Sequence, residues 1–453
     1  MDKSSKASPA RLFAVQVGRA VRMRNAFTHD VITAQLEKTK LSNEDKAFGT
    51  KLALGVTLSL GTLDEVIDRC LRSPKDISPE VRDTLRVSTY EIIFLGKSPH
   101  AAVDQGVELV RSVAPQAAGL ANAVLRKIVR AQADFPFGDP AISVQALARQ
   151  YAFPLWLAQL FVEDLGRDGA VEIMKASNMV APLYVAINAL CADPDVVRAI
   201  FADVGESSAP ISIAGIDLPL CLRVENHRAI QDERIKQLFA EGKIIVSDVS
   251  AQAIARLAVP GEKPARFLEI GSGRGTKSIL LQNVARGSFG SQMALETLDN
   301  RDFKTQLLEK RARQCGVELA AAHTGDATKL IDLFGFEAFD AIFIDAPCSG
   351  LGTLRRHPEI RWRITKADID ELASLGATML DEAAACLKVG GQLTYATCTV
   401  TRQENTQVIE RFLKSKRGES FRLLPVGEAP AFATRLTPGS PDAHFAACMV
   451  RVR

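Results

Sequence analysis

The sequence predicts a multidomain chain: all-α over residues 1–138, a helical linker and small α+β module over 139–230, and an α/β domain of Rossmann-like type over 231–453. Three observations predict it. Apolar residues in the first part recur at three- and four-residue intervals, the period of amphipathic helices. A break rich in Pro and Gly, 134-DFPFGDPA-141, closes that region. From about residue 250, strand-like and helical stretches alternate, as in a doubly wound parallel sheet. The length of 453 residues fits this division, since one core of that size is rare and roughly three domains are expected.

The elements follow in order. Helical periodicity runs through 11–21, 47–71 and 82–95. Ser78 before Pro79 and Glu80 reads as an N-cap followed by proline at the first helical position. Ser98 and Pro99 interrupt the chain before helices at 100–114 and 116–132. Past the break, 143–178 is helical, 182–190 alternates like a strand, 192–205 reads as a capped helix, and 210–215 and 218–224 are strand-like. The α/β domain offers strands at 266–270, 292–298, 318–324, 339–345 and 391–397. The pieces 421–426 and 445–452 suit an antiparallel pair at one sheet edge.

Composition bounds the function. Hydrophobic residues make up 47% and charged residues 24%, ordinary for a globular protein, and no apolar run is long enough to span a bilayer. The first residues lack a secretory pattern. Eight cysteines without CxxC spacing argue against a zinc site and a disulfide framework, so no metal is expected and a reducing cytoplasm is. Net charge is only +3, yet Lys3, Lys6, Arg11, Arg19, Arg22 and Arg24 crowd the first 24 residues against the single acid Asp2. Such a stripe can neutralise phosphates; a solvated helix face or an organellar leader has the same composition.

The first strand of the α/β domain runs into Glu269, Ile270, Gly271, Ser272, Gly273, Arg274, Gly275, Thr276 and Lys277. Alternate glycines let the backbone turn tightly and a ligand approach closely. Three further acids stand at strand ends: Asp299, suited to ribose hydroxyls, Asp326, suited to an adenine amino group, and Asp345. A single strand-end Asp is more often a helix cap, and the glycines alone also fit a ligand-free turn. Four acids in register are harder to explain that way.

Two cysteine motifs follow, Asp345-Ala-Pro-Cys348-Ser-Gly after the fourth strand and Ala396-Thr-Cys398-Thr, with Glu404-Asn405 shortly after, past the fifth. The other six, Cys70, Cys191, Cys221, Cys315, Cys386 and Cys448, read as packing. With both motifs, the sequence closely resembles the RsmB/Nop2/Sun family of RNA 5-methylcytosine methyltransferases. Pro99-His100 and Asn122 through Arg126 resemble pieces of the NusB-type RNA-binding domain of its bacterial members, and 247–252 resembles the segment entering the catalytic domain. The resemblance implies a NusB-like domain at 1–138, an RRM-like module within 139–230 and a methyltransferase domain at 231–453.

The resemblance also implies S-adenosylmethionine held by Glu269, Gly271 through Lys277, Asp299, Asp326 and Asp345. Cys398 is then the nucleophile that adds to C6 of cytosine, Cys348 assists product release, Asp345 holds the base edge, and Lys277 lies near the reacting centre. The implied partner is RNA, with 16S rRNA or a small-subunit assembly intermediate as target, for a cytoplasmic, non-membrane monomer. A tRNA cytosine methyltransferase and a non-catalytic RNA-binding assembly factor are the alternatives. Three departures bear on substrate contacts. Ser272–Lys277 replaces an Ala-Ala-Pro-Gly-Gly-Lys type of loop, Ala186 stands where arginine is usual, and Asp442-Ala-His444-Phe replaces Asp-Gly-Phe-Phe. The cluster Arg355, Arg356, His357, Arg361, Trp362 and Arg363 suits phosphate contact and base stacking, or else a solvated loop with Trp362 in the core.

Overall fold

A computed structural model describes residues 7–207 and 209–453; Lys3 and Lys6 of the basic stripe lie outside them. Packing divides the chain into two compact units, one containing the residues up to Met179 together with Leu354–Arg363, the other Val180–Thr353 and Ile364–Arg453.

The first unit is helical: α1 (Pro9–Arg24), α2 (Thr28–Leu36), α3 (Asn43–Leu58), α4 (Leu60–Cys70), α5 (Pro79–Ile93), α6 (Pro99–Val113), α7 (Ala118–Ala131), α8 (Val144–Tyr151) and α9 (Leu155–Ala176). Ser78 caps α5 as expected, its hydroxyl accepting from the Val81 N–H at 3.3 Å. Leu52, Leu63, Leu85, Leu109 and Leu125 are fully buried in the cores these helices enclose. Arg11 turns inward onto buried Glu91 at 2.7 Å; Arg22 pairs with buried Asp83 at 2.8 Å but, like Arg19 and Arg24, stays exposed.

The continuous helix expected over 47–71 is broken at Ser59, between α3 and α4. The cause is the returning segment 354–363. At Gly61 an added Cβ would stand 2.3 Å from the Trp362 ring, and the indole N–H donates to Leu58 O, a carbonyl left without a helical partner where α3 ends.

The same segment serves other helix ends. Glu359 accepts from the Thr28 N–H at 2.9 Å, a carboxylate at the start of α2. Arg363 donates to Asn25 O and Ala26 O after α1. Arg361 is fully buried, donates to Ala152 O after α8 and Ser177 O after α9, and lies 3.9 Å from the Phe153 ring centroid. Burial lowers its pKa to about 9, which leaves it charged at neutral pH. This corrects the RNA-contact reading of Arg361, Trp362 and Arg363: these side chains satisfy protein carbonyls.

The second unit begins with β1 (Leu183–Ile187), α10 (Pro194–Asp203), β2 (Ile211–Ile213), β3 (Ile216–Leu218), β4 (Cys221–Val224), α11 (Glu233–Ala240) and β5 (Ile244–Val246). An antiparallel sheet in the order β4-β1-β5 carries α10 and α11 on one face, around Val185, Ile187, Phe201 and Ile235. Helix α12 (Val249–Ala258) then leads into β6 (Phe267–Ile270), α13 (Thr276–Phe289), β7 (Leu295–Asp299), α14 (Asp302–Gln314), β8 (Ala321–Thr324), α15 (Leu330–Phe334) and β9 (Phe339–Asp345). After the helical turn α16 (Ile360–Arg363), which belongs to the first unit, come α17 (Lys366–Cys386), β10 (Leu387–Thr397), α18 (Thr406–Leu413), β11 (Phe421–Leu424), β12 (Phe432–Ala433) and β13 (Phe445–Arg451).

The large sheet runs β11-β13-β10-β9-β6-β7-β8, with β12 beside β13. The five strands β8, β7, β6, β9 and β10 are parallel, and β13 and β11 form the expected antiparallel edge. Alternation along the strands builds two cores: Phe267, Ala341 and Phe343 face one, Leu268, Ile342 and Ile344 the other. Chain order reverses between β6 and β9, so the loops leaving these strands diverge and open a crevice.

The indole at Gly61 gives a sign-changing prediction. Gly61→Ala should destabilise the protein, because the new Cβ meets Trp362. In a Trp362→Ala background the same change should stabilise by up to about 1 kcal/mol, since alanine is the better helix former. Urea denaturation of the four proteins reads the cycle, and simple additivity would remove the indole from this position.

Candidate active site

Glycine conformation builds the crevice floor. Gly271, Gly273 and Gly275 all have positive φ, at 80°, 54° and 78°. At Gly271 a Cβ would lie 2.4 Å from Asp345 O, so only hydrogen lets the ends of β6 and β9 approach this closely. Around Gly273 the nearest atom to a Cβ would be Gly271 O, 3.9 Å away, so the loop's outer face is open to a ligand. Asp299, the last residue of β7, accepts from the Gly273 N–H at 3.0 Å and the Arg301 N–H at 3.1 Å, and is nearly buried.

The other expected acids differ in setting. Asp326 is exposed two residues past β8, and one oxygen takes the Thr328 N–H at 2.9 Å and its hydroxyl at 2.7 Å. The Thr328 backbone bond holds its pKa below the usual value. Glu269 lies beneath the glycine loop with no exposed surface; one oxygen accepts from the Ser278 hydroxyl and the other has no partner. Burial pushes its pKa up to about 8. Ser272 is buried, whereas the Arg274 carbonyl and the Thr276 hydroxyl take hydrogen bonds from Arg311 at 3.3 and 2.9 Å.

Lys277, in the first turn of α13, puts Nζ 2.5 Å from Asp345 Oδ2 and 5.9 Å from the Phe343 ring centroid. Burial works against its ammonium charge, but Asp345 outweighs burial and holds the lysine above its ordinary value.

The cysteines come together at the ends of neighbouring strands. Cys348 is three residues past β9, Cys398 directly follows β10, and their sulfurs are 3.4 Å apart. The Cys398 N–H also points to the Cys348 sulfur at 3.3 Å. Cys398 is drawn below the ordinary thiol value, chiefly by its hydrogen bond from Cys348 and further by Lys277, against burial. The same bond and burial push Cys348 well above that value. Of the two facing thiols, Cys398 is therefore the one that gives up its proton more readily. Two residues for which sequence offers no chemical reason, Ser349 and Glu404, meet behind the pair, the Ser349 N–H donating to Glu404 Oε1 at 2.6 Å. Their motifs mark the place, but no spacing rule gives the contact.

These residues fit a nucleoside-bearing methyl donor: an open glycine turn, an acid closing the next strand, and a paired thiol beside a lysine–carboxylate pair.

Glu269 sets a pH dependence. Its native pKa of about 8 exceeds the ordinary 4.5, so the native state holds the extra proton between those values. Stability should therefore fall as pH rises from about 4.5 to about 8. Glu269→Gln should lessen that fall, read as urea midpoints below pH 5 and above pH 8. Equal slopes in both proteins would place the proton elsewhere.

Residues 257–447 match the family model described as 16S rRNA methyltransferase RsmB/F, and residues 8–130 match that of the NusB family. A probable ribosomal RNA small subunit methyltransferase B of Synechocystis sp. is 30% identical over 96% of this chain and 96% of its own. A putative methyltransferase of Mycobacterium tuberculosis is 31% identical over 98% of this chain and 97% of its own. The crystal structure of PH0851 shares the fold, with a TM-score of 0.78 at 20% identity over 99% of this chain and 100% of that one. A NusB-type helical region, a glycine-loop crevice with paired thiols, and full-length similarity at this level have one meaning: the chain belongs to the RsmB/F family of 16S rRNA methyltransferases.

Proposed function

We propose that this S-adenosylmethionine-dependent enzyme methylates C5 of a cytosine in 16S rRNA through a covalent bond between Cys398 and C6. The observation that carries the reading is the 3.4 Å separation of the two sulfurs beside the glycine crevice. Cytosine C5 is a weak nucleophile. Addition of a thiolate at C6 turns C5 into an enamine carbon able to take a methyl group. Cys398 is the thiolate, lowered by Cys348 and Lys277. Asp345, fixed by Lys277, holds the base edge and steadies charge developing on the ring. Water acting as base then takes the C5 proton while the C6–S bond breaks and its electron pair leaves with the Cys398 sulfur, restoring the aromatic ring. Cys348, as a thiol, hydrogen-bonds that departing sulfur and so assists release.

Gly271 through Lys277 and Asp299 line the donor site, with Asp326 at its adenine end and Glu269 supporting the loop from beneath. S-adenosylmethionine supplies an electrophilic methyl group when bound there. The same proposal reads a NusB-like RNA-binding domain at 1–138, a linker with an RRM-like module from 139, which β5 carries past the expected boundary at 230 to Val246, and the catalytic domain after it, acting as a cytoplasmic monomer on rRNA or a small-subunit intermediate.

Two tests follow. Asp299→Ala should weaken binding of S-adenosylmethionine by about 2–4 kcal/mol, the value of two charge-assisted hydrogen bonds, as read by calorimetry. Unchanged affinity would remove Asp299 from the donor site. Cys398→Ala should abolish methylation and every covalent RNA adduct, whereas Cys348→Ala should accumulate an adduct that survives denaturing gels. The reverse pattern would exchange the two roles, and full methylation by both variants would take the thiols out of the mechanism.

A further inference from the structure

We infer that Glu404 is a positioning residue whose buried carboxylate clasps the two cysteine loops together and sets the separation of their sulfurs. The inference rests on the proposed roles of Cys398 and Cys348 for its catalytic meaning, but the clasp itself stands on geometry.

Glu404 is 1% exposed. The residue following each cysteine is tied to it. Ser349, after Cys348, donates its N–H to Oε1 at 2.6 Å and its hydroxyl to Oε2 at 2.7 Å. Thr399, after Cys398, lies 2.7 Å from the Ser349 hydroxyl and 3.3 Å from Oε2. Thr401 adds a third hydroxyl to Oε2 at 2.6 Å. The Ser349 and Thr401 hydroxyls donate to Oε2, and the single Thr399 proton is shared between Oε2 and Ser349 Oγ. One carboxylate thus gathers donors from both loops.

The clasp is anchored on its far side. The Tyr395 hydroxyl, from within β10, donates to Glu404 O at 2.9 Å. Asn405 brackets Cys398: its carbonyl accepts from the Thr397 hydroxyl at 2.5 Å and its amide donates to Thr399 O at 3.1 Å. Cys348 and Cys398 both lie beyond the regular strands, where the β9–β10 ladder no longer spaces the backbones. The Ala346 N–H to Ala396 O bond and the Gly352 N–H to Cys398 O bond pin the chain before and after Cys348, but neither holds residue 348 itself. The Cys398 N–H holds the Cys348 sulfur at 3.3 Å, and the bonds at Ser349 hold the backbone that carries it.

A displacement of about 1 Å at a reacting centre costs on the order of a hundredfold in rate. Glu404→Gln keeps the shape but turns an acceptor into a donor facing hydroxyls. Its S-adenosylmethionine affinity should match that of the parent, while single-turnover methylation of 16S rRNA falls by roughly a hundredfold. The residual covalent adduct should decay more slowly, because the releasing thiol is misplaced. In a Cys348→Ala background, adding Glu404→Gln should not lengthen the adduct lifetime further, which a general loss of structure would not explain. Ser349→Ala, which removes only one hydroxyl, should give a smaller change in the same direction and serves if the Gln variant does not fold.

A second readout does not depend on catalysis. Diamide oxidises two thiols to a disulfide while its azo group is reduced to a hydrazine, and peptide mapping reports the Cys348–Cys398 product. Trapping should be at least about tenfold slower in Glu404→Gln than in the parent. Parent-like trapping and parent-like adduct lifetime would overturn the clasp. Slowed trapping with no adduct in Cys348→Ala would uphold the clasp and sink the proposed thiol roles instead.

Discussion

The site depends on a missing side chain. The ends of β6 and β9 lie side by side because residue 271 is glycine: any Cβ would press into Asp345 O. That contact fixes the carboxyl end of β9 against the glycine loop and so brings Asp345 within reach of Lys277, the first turn of the helix that the loop starts. Parallel pairing of β9 with β10 then places Cys398 one strand further along. The glycine loop, Asp345 and Cys398 thus form a row across three adjacent strands, spaced by the sheet.

The charges in that row are set by burial and by neighbours in opposite ways. Glu269 has no cation in contact and burial raises its pKa, so at neutral pH it is largely a neutral acid under the loop. Asp345 is half-exposed and faces Lys277 directly. The lysine therefore directs its field chiefly at Asp345 and more weakly at Cys398, whose thiol is lowered first by Cys348 and then by the lysine, against burial and Asp345. Two carboxylates on adjoining strands differ because one is in direct contact with a cation, while burial outweighs the more distant Lys277 at the other.

Much of this was legible in the sequence because backbone chemistry made it so. Three alternate glycines were required by positive φ, and acids at strand ends announced the crevice. The period-two and period-3.6 patterns placed the strands of the large sheet and most helices of the first unit, but not α2, α11, β5 or α12. The break at Ser59 escaped notice because apolar spacing continues through it, and its cause, Trp362, is distant in the chain. The arginines at 361 and 363 looked like an RNA surface because composition cannot distinguish a guanidinium facing phosphate from one facing a helix-end carbonyl. Glu404 was visible only as part of a motif; its contacts arise where two loops meet, which no local pattern records.

Segment 354–363 also has a consequence for synthesis. Termini of α1, α3, α8 and α9 accept hydrogen bonds from residues 361–363, and that of α2 donates one to Glu359; the ribosome makes these residues only after β6 to β9. The helical unit is translated first yet cannot finish first. Until residue 363 emerges, those helix ends remain open to water, to chaperones and to proteases. The nascent chain therefore matures out of order, and its first-made part closes only once much of the catalytic sheet has been made.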